Sequence, residues 1–451
     1  MASDRPIEVT SAADALARAS DNDLRRYPSP DRDGDRLYPL AAPHCTPTFK
    51  IGPSDTIFAI GSCFARNVER ALATAGKVVL SRNFDLGAIG ESLGDAANFF
   101  NKYSIHSVIN EVRWALERDS FPGARLFYET GRQSYSDCQL GLAKLEHPIE
   151  DILAFRHRYL DTIAQVATAD VVILTLGYVE TWYDRELGLY LNVAPPVRLV
   201  KNAPERFEFR VLSYADVLQG LEEFYALLIR HRTKPLKMLV TVSPVPLLAT
   251  FRNMDVLVAN AYSKSVQRAA LDEFVRGKPG VDYFPSFEFV TLSNPTIAWS
   301  RGDYRHVSPD VVNRIMSDVL LNYVESDPES ESGELPTLTS EALLSTARML
   351  SKLEEHQQLT ELIEVNRAIA DGDGELLMLE AASLRQLGRD ADAWDRLATA
   401  VKVDPARPVA LERLISLCRP LRRREDAARL LDLHAQRFPK RSEFRGRISW
   451  V

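Results

Sequence analysis

The sequence predicts an α/β protein: a three-layer doubly wound parallel sheet over residues 51–325, followed by an all-α helical-repeat domain over residues 339–451. Three observations carry this reading. Short apolar runs at Ile57–Ile60, Val171–Leu176 and Met238–Val242 are continuous rather than alternating, as expected of strands buried on both faces. Segments of helical period separate them, so the connections are crossovers and the strands pair in parallel. Near the end of the chain Pro405 and Pro439 lie 34 residues apart, and the same offset relates Ala393 to Ala427 and Leu397 to Leu431.

Residues 1–50 are rich in Asp, Arg, Ser and Pro, with SPDRDGDR near the centre, and read as an arm that is mostly loop. After the strand Ile57–Ile60, Gly61 supplies a tight turn, and Phe64, Val68 and Leu72 recur as one helix face. Gly76 suits a C-cap, and Val78–Leu80 a second strand that completes a βαβ unit. Ser104 can cap a helix that carries Ile105, Val108, Ile109, Val112 and Leu116 on one side.

Residues 119–148 are aromatic and polar without a clear period, which suggests an insertion near the site or a small hairpin. Helical patterns follow at Ile149–Ala169, Tyr214–His231 and Val256–Val275, with a short strand at Val281–Phe284. Ser308, Pro309 and Asp310 start the last helix of this domain, and the acidic, Ser- and Pro-rich residues 326–338 form a linker. Beyond it, LLMLEAASLRQLGRDADAWDRLATAVKVDP resembles a tetratricopeptide repeat, with Ala381, Gly388, Ala393, Ala400 and Pro405 at its small-residue and closing-proline positions. A weaker copy with Ala347 and Leu350 precedes it, so three helix pairs are expected. Such repeats dock a protein partner, mediate self-association or cover the neighbouring domain. The cluster Arg419, Arg422, Arg423 and Arg424 reads as a solvated turn.

Composition removes several functional classes. A net charge of −7 over 451 residues, with 26% charged residues, argues against nucleic acid as partner. The four cysteines lack CxxC spacing and neighbouring histidines, so no zinc site or disulfide scaffold is expected. No signal sequence, integral membrane segment or Gly-rich phosphate loop stands out, which places the protein in the cytoplasm and calls for no metal or cofactor.

Chemistry concentrates in two stretches. Ser62 and Cys63 sit on the turn after the first strand, where free helix N–H groups face whatever the side chain attacks. GDYRHVSPD places Asp303 three residues before His306, so a carboxylate can orient an imidazole that takes a proton from the nucleophile. In a parallel sheet both stretches open onto the crevice at the strand C-termini.

Nucleophile first, acid and base together at the end, is the order of the SGNH, or GDSL-like, esterases and acyltransferases, which the blocks IGSCFA and DYRHVS resemble. More closely, GSCFA (61–65), NKYSI (101–105), TLGYVETW (175–182), SPVPL (243–247), AYSKSVQR (261–268) and YFPSFE (283–288) resemble the GSCFA-domain family. The resemblance implies an SGNH- or flavodoxin-like sheet and a triad-like site acting on a small-molecule or carbohydrate substrate. It aligns Cys63 with the nucleophile, Gly61 and Ser62 with the preceding Gly-Asp, and Asp303 and His306 with the acid–base pair. A register one residue earlier makes Ser62 the nucleophile.

A thiol at a helix N-terminus near a cationic histidine is expected to have a lowered pKa. The superfamily's Gly-x-Asn is altered, since Gly177 is followed by Tyr178, Val179 and Glu180. The oxyanion donor is then the backbone N–H of Cys63, a glycine such as Gly87, or Asn101. Glu180 reads equally as a pocket carboxylate or a structural one, and Ser243 and Lys264 either line the pocket or cap elements.

Overall fold

The computed structural model describes residues 6–33, 36–93, 96–300, 302–325 and 339–451. Its strands, in chain order, are β1 (Thr56–Gly61), β2 (Val78–Val79), β3 (Tyr128–Gly131), β4 (Ser134–Asp137), β5 (Leu142–Leu145), β6 (Val171–Leu176), β7 (Glu180–Asp184), β8 (Leu189–Leu191), β9 (Phe207–Val211), β10 (Lys237–Val242) and β11 (Val281–Tyr283).

The apolar runs at β1, β6 and β10 are buried almost throughout, because strands at the centre of a parallel sheet are covered on both faces. Together with β2 and β11 they form one parallel sheet of order β11-β10-β6-β1-β2. Counting its strands first to fifth along the chain, the order is 2-1-3-4-5, so the connections reverse direction between β1 and β6. Thr175 pairs with Gly61 on one side and Thr241 on the other, which brings the C-terminal ends of β1, β6 and β10 level.

Helices flank the sheet. The helix Phe64–Thr74 buries Phe64, Ala65, Val68 and Leu72, the face its spacing predicts, and ends before Gly76 in a left-handed conformation (φ +77°). Reciprocal capping boxes start Ile105–Leu116 (Ser104 with Ser107) and Tyr214–His231 (Ser213 with Asp216). Phe58, Ile60, Val112, Tyr159, Leu174, Phe224, Val240 and Phe274 belong to the resulting core.

That core encloses charge. Arg156, Glu111 and Asp137 are all fully buried: Arg156 Nη2 donates to Glu111 Oε1 and Oε2 at 2.7 and 2.9 Å, and its Nε lies 3.1 Å from Asp137 Oδ2. Lys102, also buried, donates to the carbonyls of Phe99 and Asn101 at 2.6 and 3.3 Å, and burial pushes its ammonium down to about 8.

Two small antiparallel sheets project from this frame. The aperiodic segment at 119–148 forms β3-β4-β5, one strand more than a hairpin, and a second sheet has the order β8-β7-β9. The N-terminal arm holds a helix, Ala12–Asp21, capped by Ser11. It is also stitched to the domain where Thr48 donates twice to Asp282, at 2.8 and 2.6 Å, and Ile51 pairs in parallel with Val324.

The described residues group into two compact units. The first holds the sheets and residues 302–307 and 319–325. Residues 294–300 and 308–318, including the start of the helix Pro309–Tyr323, group instead with residues 339–451. The expected linker at 326–338 lies outside the described residues. In the second unit, helices begin at residues 340, 374 and 408 and their partners at 356, 390 and 424, so helix pairs recur every 34 residues. Ala381, Ala393, Ala400 and Ala410 are buried between them with Leu377, Leu397 and Leu414. Arg419, Arg422 and Arg423 lie in an exposed turn and Arg424 opens the next helix, with Arg423 over the Trp394 ring at 4.5 Å.

Candidate active site

The turn after β1 is built by close approach. Gly61 has φ +129°, and a Cβ on it would lie 2.0 Å from the Thr175 carbonyl oxygen, so only glycine fits. The chain is then held by Ser62, whose N–H donates to Thr175 O at 2.9 Å and whose hydroxyl meets Thr175 Oγ1 at 3.1 Å. Ser62 is 2% exposed. Cys63 follows, half-buried and unpaired, at the start of the helix Phe64–Thr74.

Ser62 and Cys63 form the floor of a cavity of about 340 Å³. Gly177 after β6 and Ser243 after β10 line it as well, so three level strand ends supply its base, beside the reversal in strand order. Gly177 permits a second close approach, since a Cβ there would meet Tyr103 O at 2.7 Å. The N–H groups of Gly177 and Tyr178 both donate to Tyr103 O, at 3.1 and 3.0 Å, so neither is free for an oxyanion. Tyr103 and Tyr178 stack with centroids 5.1 Å apart. Asn192 fixes this wall: its Nδ2 donates to Asn101 O at 2.9 Å, and its Oδ1 accepts from Tyr103 N at 2.8 Å.

The opposite wall is apolar. Trp182 of β7, Phe209 of β9 and Phe251 have ring centroids 5.1–5.7 Å apart, too close to cage a ligand between them but able to present faces to one. Glu180 clasps this region through its two oxygens, accepting from Thr250 Oγ1 at 2.7 Å and from Phe251 N at 3.2 Å. The carboxylate therefore lines the cavity while holding the 243–255 loop. Ser243 likewise lines the cavity and turns the chain, with its hydroxyl accepting from Val245 N at 3.3 Å.

Two sequence-based oxyanion candidates stand elsewhere. Gly87 begins the helix Gly87–Ser92, with its N–H donated to Asp85 at 2.8 Å, and is not part of the lining. Asn101 bridges to Gly61 and is not part of the lining, and its buried Oδ1 has no hydrogen-bond partner among the described residues.

The thiol departs from expectation. Burial raises the Cys63 pKa and is the largest influence; the charges of Lys264 and Arg305 and the N–H groups of Cys63 and Phe64 pull it down less strongly. Desolvation thus outweighs the helix terminus. Lys264 is itself fully buried, donates to Gly177 O at 2.6 Å and Val245 O at 2.8 Å, and is pushed down to about 7 by desolvation. This gives a sign-definite expectation. Below about pH 7 the amine is protonated folded or unfolded; between about 7 and its ordinary 10.5 the unfolded chain binds more protons, so stability rises with pH. Urea midpoints at pH 7 and 9 should show a gain of about 1–3 kcal/mol from this group. Lys264→Met should remove that share, leaving the parallel rise from Lys102.

Asp303 and His306 are joined as expected, through His306 Nδ1 and Asp303 Oδ2 at 2.5 Å. Asp303 Oδ1 accepts from the N–H groups of His306 and Arg305 at 2.9 and 3.0 Å, and these bonds hold its carboxyl well below the usual range. The His306 side chain is 69% exposed, and among the described residues no hydrogen bond joins it to Ser62 or Cys63. Arg305, between the pair, lines the cavity instead.

Sequence reasoning missed Arg305, Tyr103, Asn192 and the three aromatic rings. Arg305, Tyr103 and Trp182 stood in quoted motifs whose neighbours drew the attention, whereas Asn192, Phe209 and Phe251 lie in segments without a helical or strand period. Among the described residues no three His, Cys, Asp or Glu side chains are grouped to hold a metal, and no helix is long and apolar enough to cross a membrane.

Neither the curated proteins nor the solved structures contain a match to the chain. The GSCFA family model matches residues 56–318, a span running from β1 through the Asp303–His306 pair. With more than half of its length matched, the chain belongs to the GSCFA family.

Proposed function

We propose that residues 51–325 form an SGNH-like acyl-transfer enzyme, an esterase or O-acyltransferase, with Cys63 as nucleophile. The observation that carries this is the placement of Cys63: a half-buried thiol on the floor of a cavity at three strand ends, with the N–H groups of Cys63 and Phe64 turned to its sulfur. The thiolate attacks an acyl carbonyl, the alcohol leaves with a proton, and the thioester passes its acyl group to water or an acceptor hydroxyl. His306, oriented by Asp303, relays the proton after its exposed ring turns toward the sulfur. Ser62 is the weaker nucleophile, because its hydroxyl is buried and engaged with Thr175.

A carbohydrate or glycan precursor is the acceptor class to try first, by analogy with the superfamily. The four free cysteines suit the cytoplasm, and the 34-residue helix pairs suit tetratricopeptide-like repeats that dock a protein partner or self-associate.

Turnover of short-chain activated esters tests the assignment. Cys63→Ala and His306→Ala should each lower kcat at least about 100-fold, with Asp303→Asn following His306 in direction. Unchanged turnover in Cys63→Ala would remove the proposal. A second reading, a catalytically weak ligand-binding module whose helical repeats perform the main task, is favoured by the missing His306–Cys63 bond and by the raised thiol pKa. Saturable ligand binding with no turnover in any variant would select it.

A further inference from the structure

Arg305 brings a cation to the cavity that holds Cys63. The turn at Asp303 holds its backbone, since Asp303 Oδ1 accepts the Arg305 N–H at 3.0 Å. Its guanidinium forms no ion pair among the described residues, and its Nε is buried without a hydrogen-bond partner. A guanidinium offers five donors, and burying one unpaired costs stability that a structural role would not explain.

The nearby carboxylates are committed elsewhere. Asp303 holds His306 and the backbone of the turn, and Glu180 holds Thr250 and Phe251. The remaining wall is largely apolar, formed by Trp182, Phe209, Phe251 and Leu247, so an anion entering the cavity meets one unpaired cation. That cation also acts on the reacting sulfur, opposing part of the burial that raises the Cys63 and Tyr103 pKa values.

We propose that Arg305 is a specificity-determining residue that binds an anionic group of the substrate, a carboxylate or phosphate, beside the carbon that Cys63 attacks. The planar fork of the guanidinium matches either group with two parallel hydrogen bonds. The inference rests on Cys63 as the reactive group of the cavity.

Iodoacetate and iodoacetamide test it without requiring acyl transfer. Both deliver the same carbon to the Cys63 thiolate: an S–C bond forms, iodide leaves with the electron pair of the broken C–I bond, and the thiol proton goes to solvent. They differ in the carboxylate alone. Rates at Cys63 are read on the full chain by intact mass and peptide mapping. Because both reagents need the thiolate, their ratio cancels any change in thiol ionisation.

The wild-type iodoacetate-to-iodoacetamide ratio should exceed that of a free thiol such as N-acetylcysteine about tenfold or more. Arg305→Gln should return it to the free-thiol value, and Arg305→Lys should keep part of it and serve as the folded control. Acetate and inorganic phosphate should slow iodoacetate in the wild type, the more effective of the two naming the substrate's group. A wild-type ratio equal to that of the free thiol, a ratio unchanged in Arg305→Gln, or no labelling of Cys63 by either reagent would overturn the proposal. An Arg305-dependent ratio without ester turnover would sink the acyl-transfer reading and leave the anion site standing.

Discussion

Gly61→Ala should leave the α/β unit unfolded or insoluble. The new Cβ would stand 2.0 Å from the Thr175 carbonyl oxygen, on a backbone at φ +129° that L-residues rarely adopt. Relief would require β1 to separate from β6 where Ser62 N–H bonds Thr175 O, at the centre of the sheet. Strain of this kind belongs with the largest single-residue effects, above about 4 kcal/mol, against a total stability of about 5–15 kcal/mol for a typical domain. Soluble yield and far-UV circular dichroism are the readouts. Near-native yield and a melting temperature within a few degrees of wild type would show that the turn can accept a Cβ.

Arg156→Met should cost about 3–5 kcal/mol, because it leaves Glu111 and Asp137 buried without their shared cation. Lys102 remains beside the cluster, but its ammonium is already held by the Phe99 and Asn101 carbonyls. The damage should reach the site, since the Lys102 backbone N–H donates to Gly61 O at 2.7 Å and so braces the turn that bears Cys63. Chemical denaturation of Arg156→Met measures the loss. The triple change Arg156→Met, Glu111→Leu, Asp137→Asn should recover much of it, because replacing the three charges by neutral side chains leaves no stranded carboxylate. A triple variant as unstable as the single one would mean that packing of the Arg156 side chain, over the Tyr159 ring at 4.8 Å, dominates instead.

The central sheet was legible in the sequence for a physical reason. Strands covered on both faces need apolar residues at every position, and Val171–Leu176 and Met238–Val242 satisfy that without interruption. The helices were legible through their buried faces, and the 34-residue offset through its small residues. The sheet β8-β7-β9 was not. Glu180–Asp184 mixes acidic and aromatic residues, and its partner Phe207–Val211 lies beyond a helix and loops, so neither pattern nor proximity reveals the pairing.

The site divides along the same line. Cys63, Gly177 and Ser243 each follow a readable strand, so their convergence could be argued from topology. Gly87 and Asn101 were chosen by residue type within irregular chain, where direction is set by contacts such as Gly87 N–H with Asp85. Arg305 and His306 show the limit most clearly. They are adjacent in a recognisable motif held by Asp303, yet one side chain lines the cavity and the other is largely exposed.

The central claim is that the Cys63 sulfur carries an acyl group during turnover. Intact mass spectrometry after brief exposure to an activated acyl ester tests it most directly, followed by peptide mapping to separate Cys63 from the other three cysteines. The account predicts a single acyl addition on the wild type and on Ser62→Ala, located at Cys63, and none on Cys63→Ala. An addition that persists in Cys63→Ala and disappears in Ser62→Ala would contradict it.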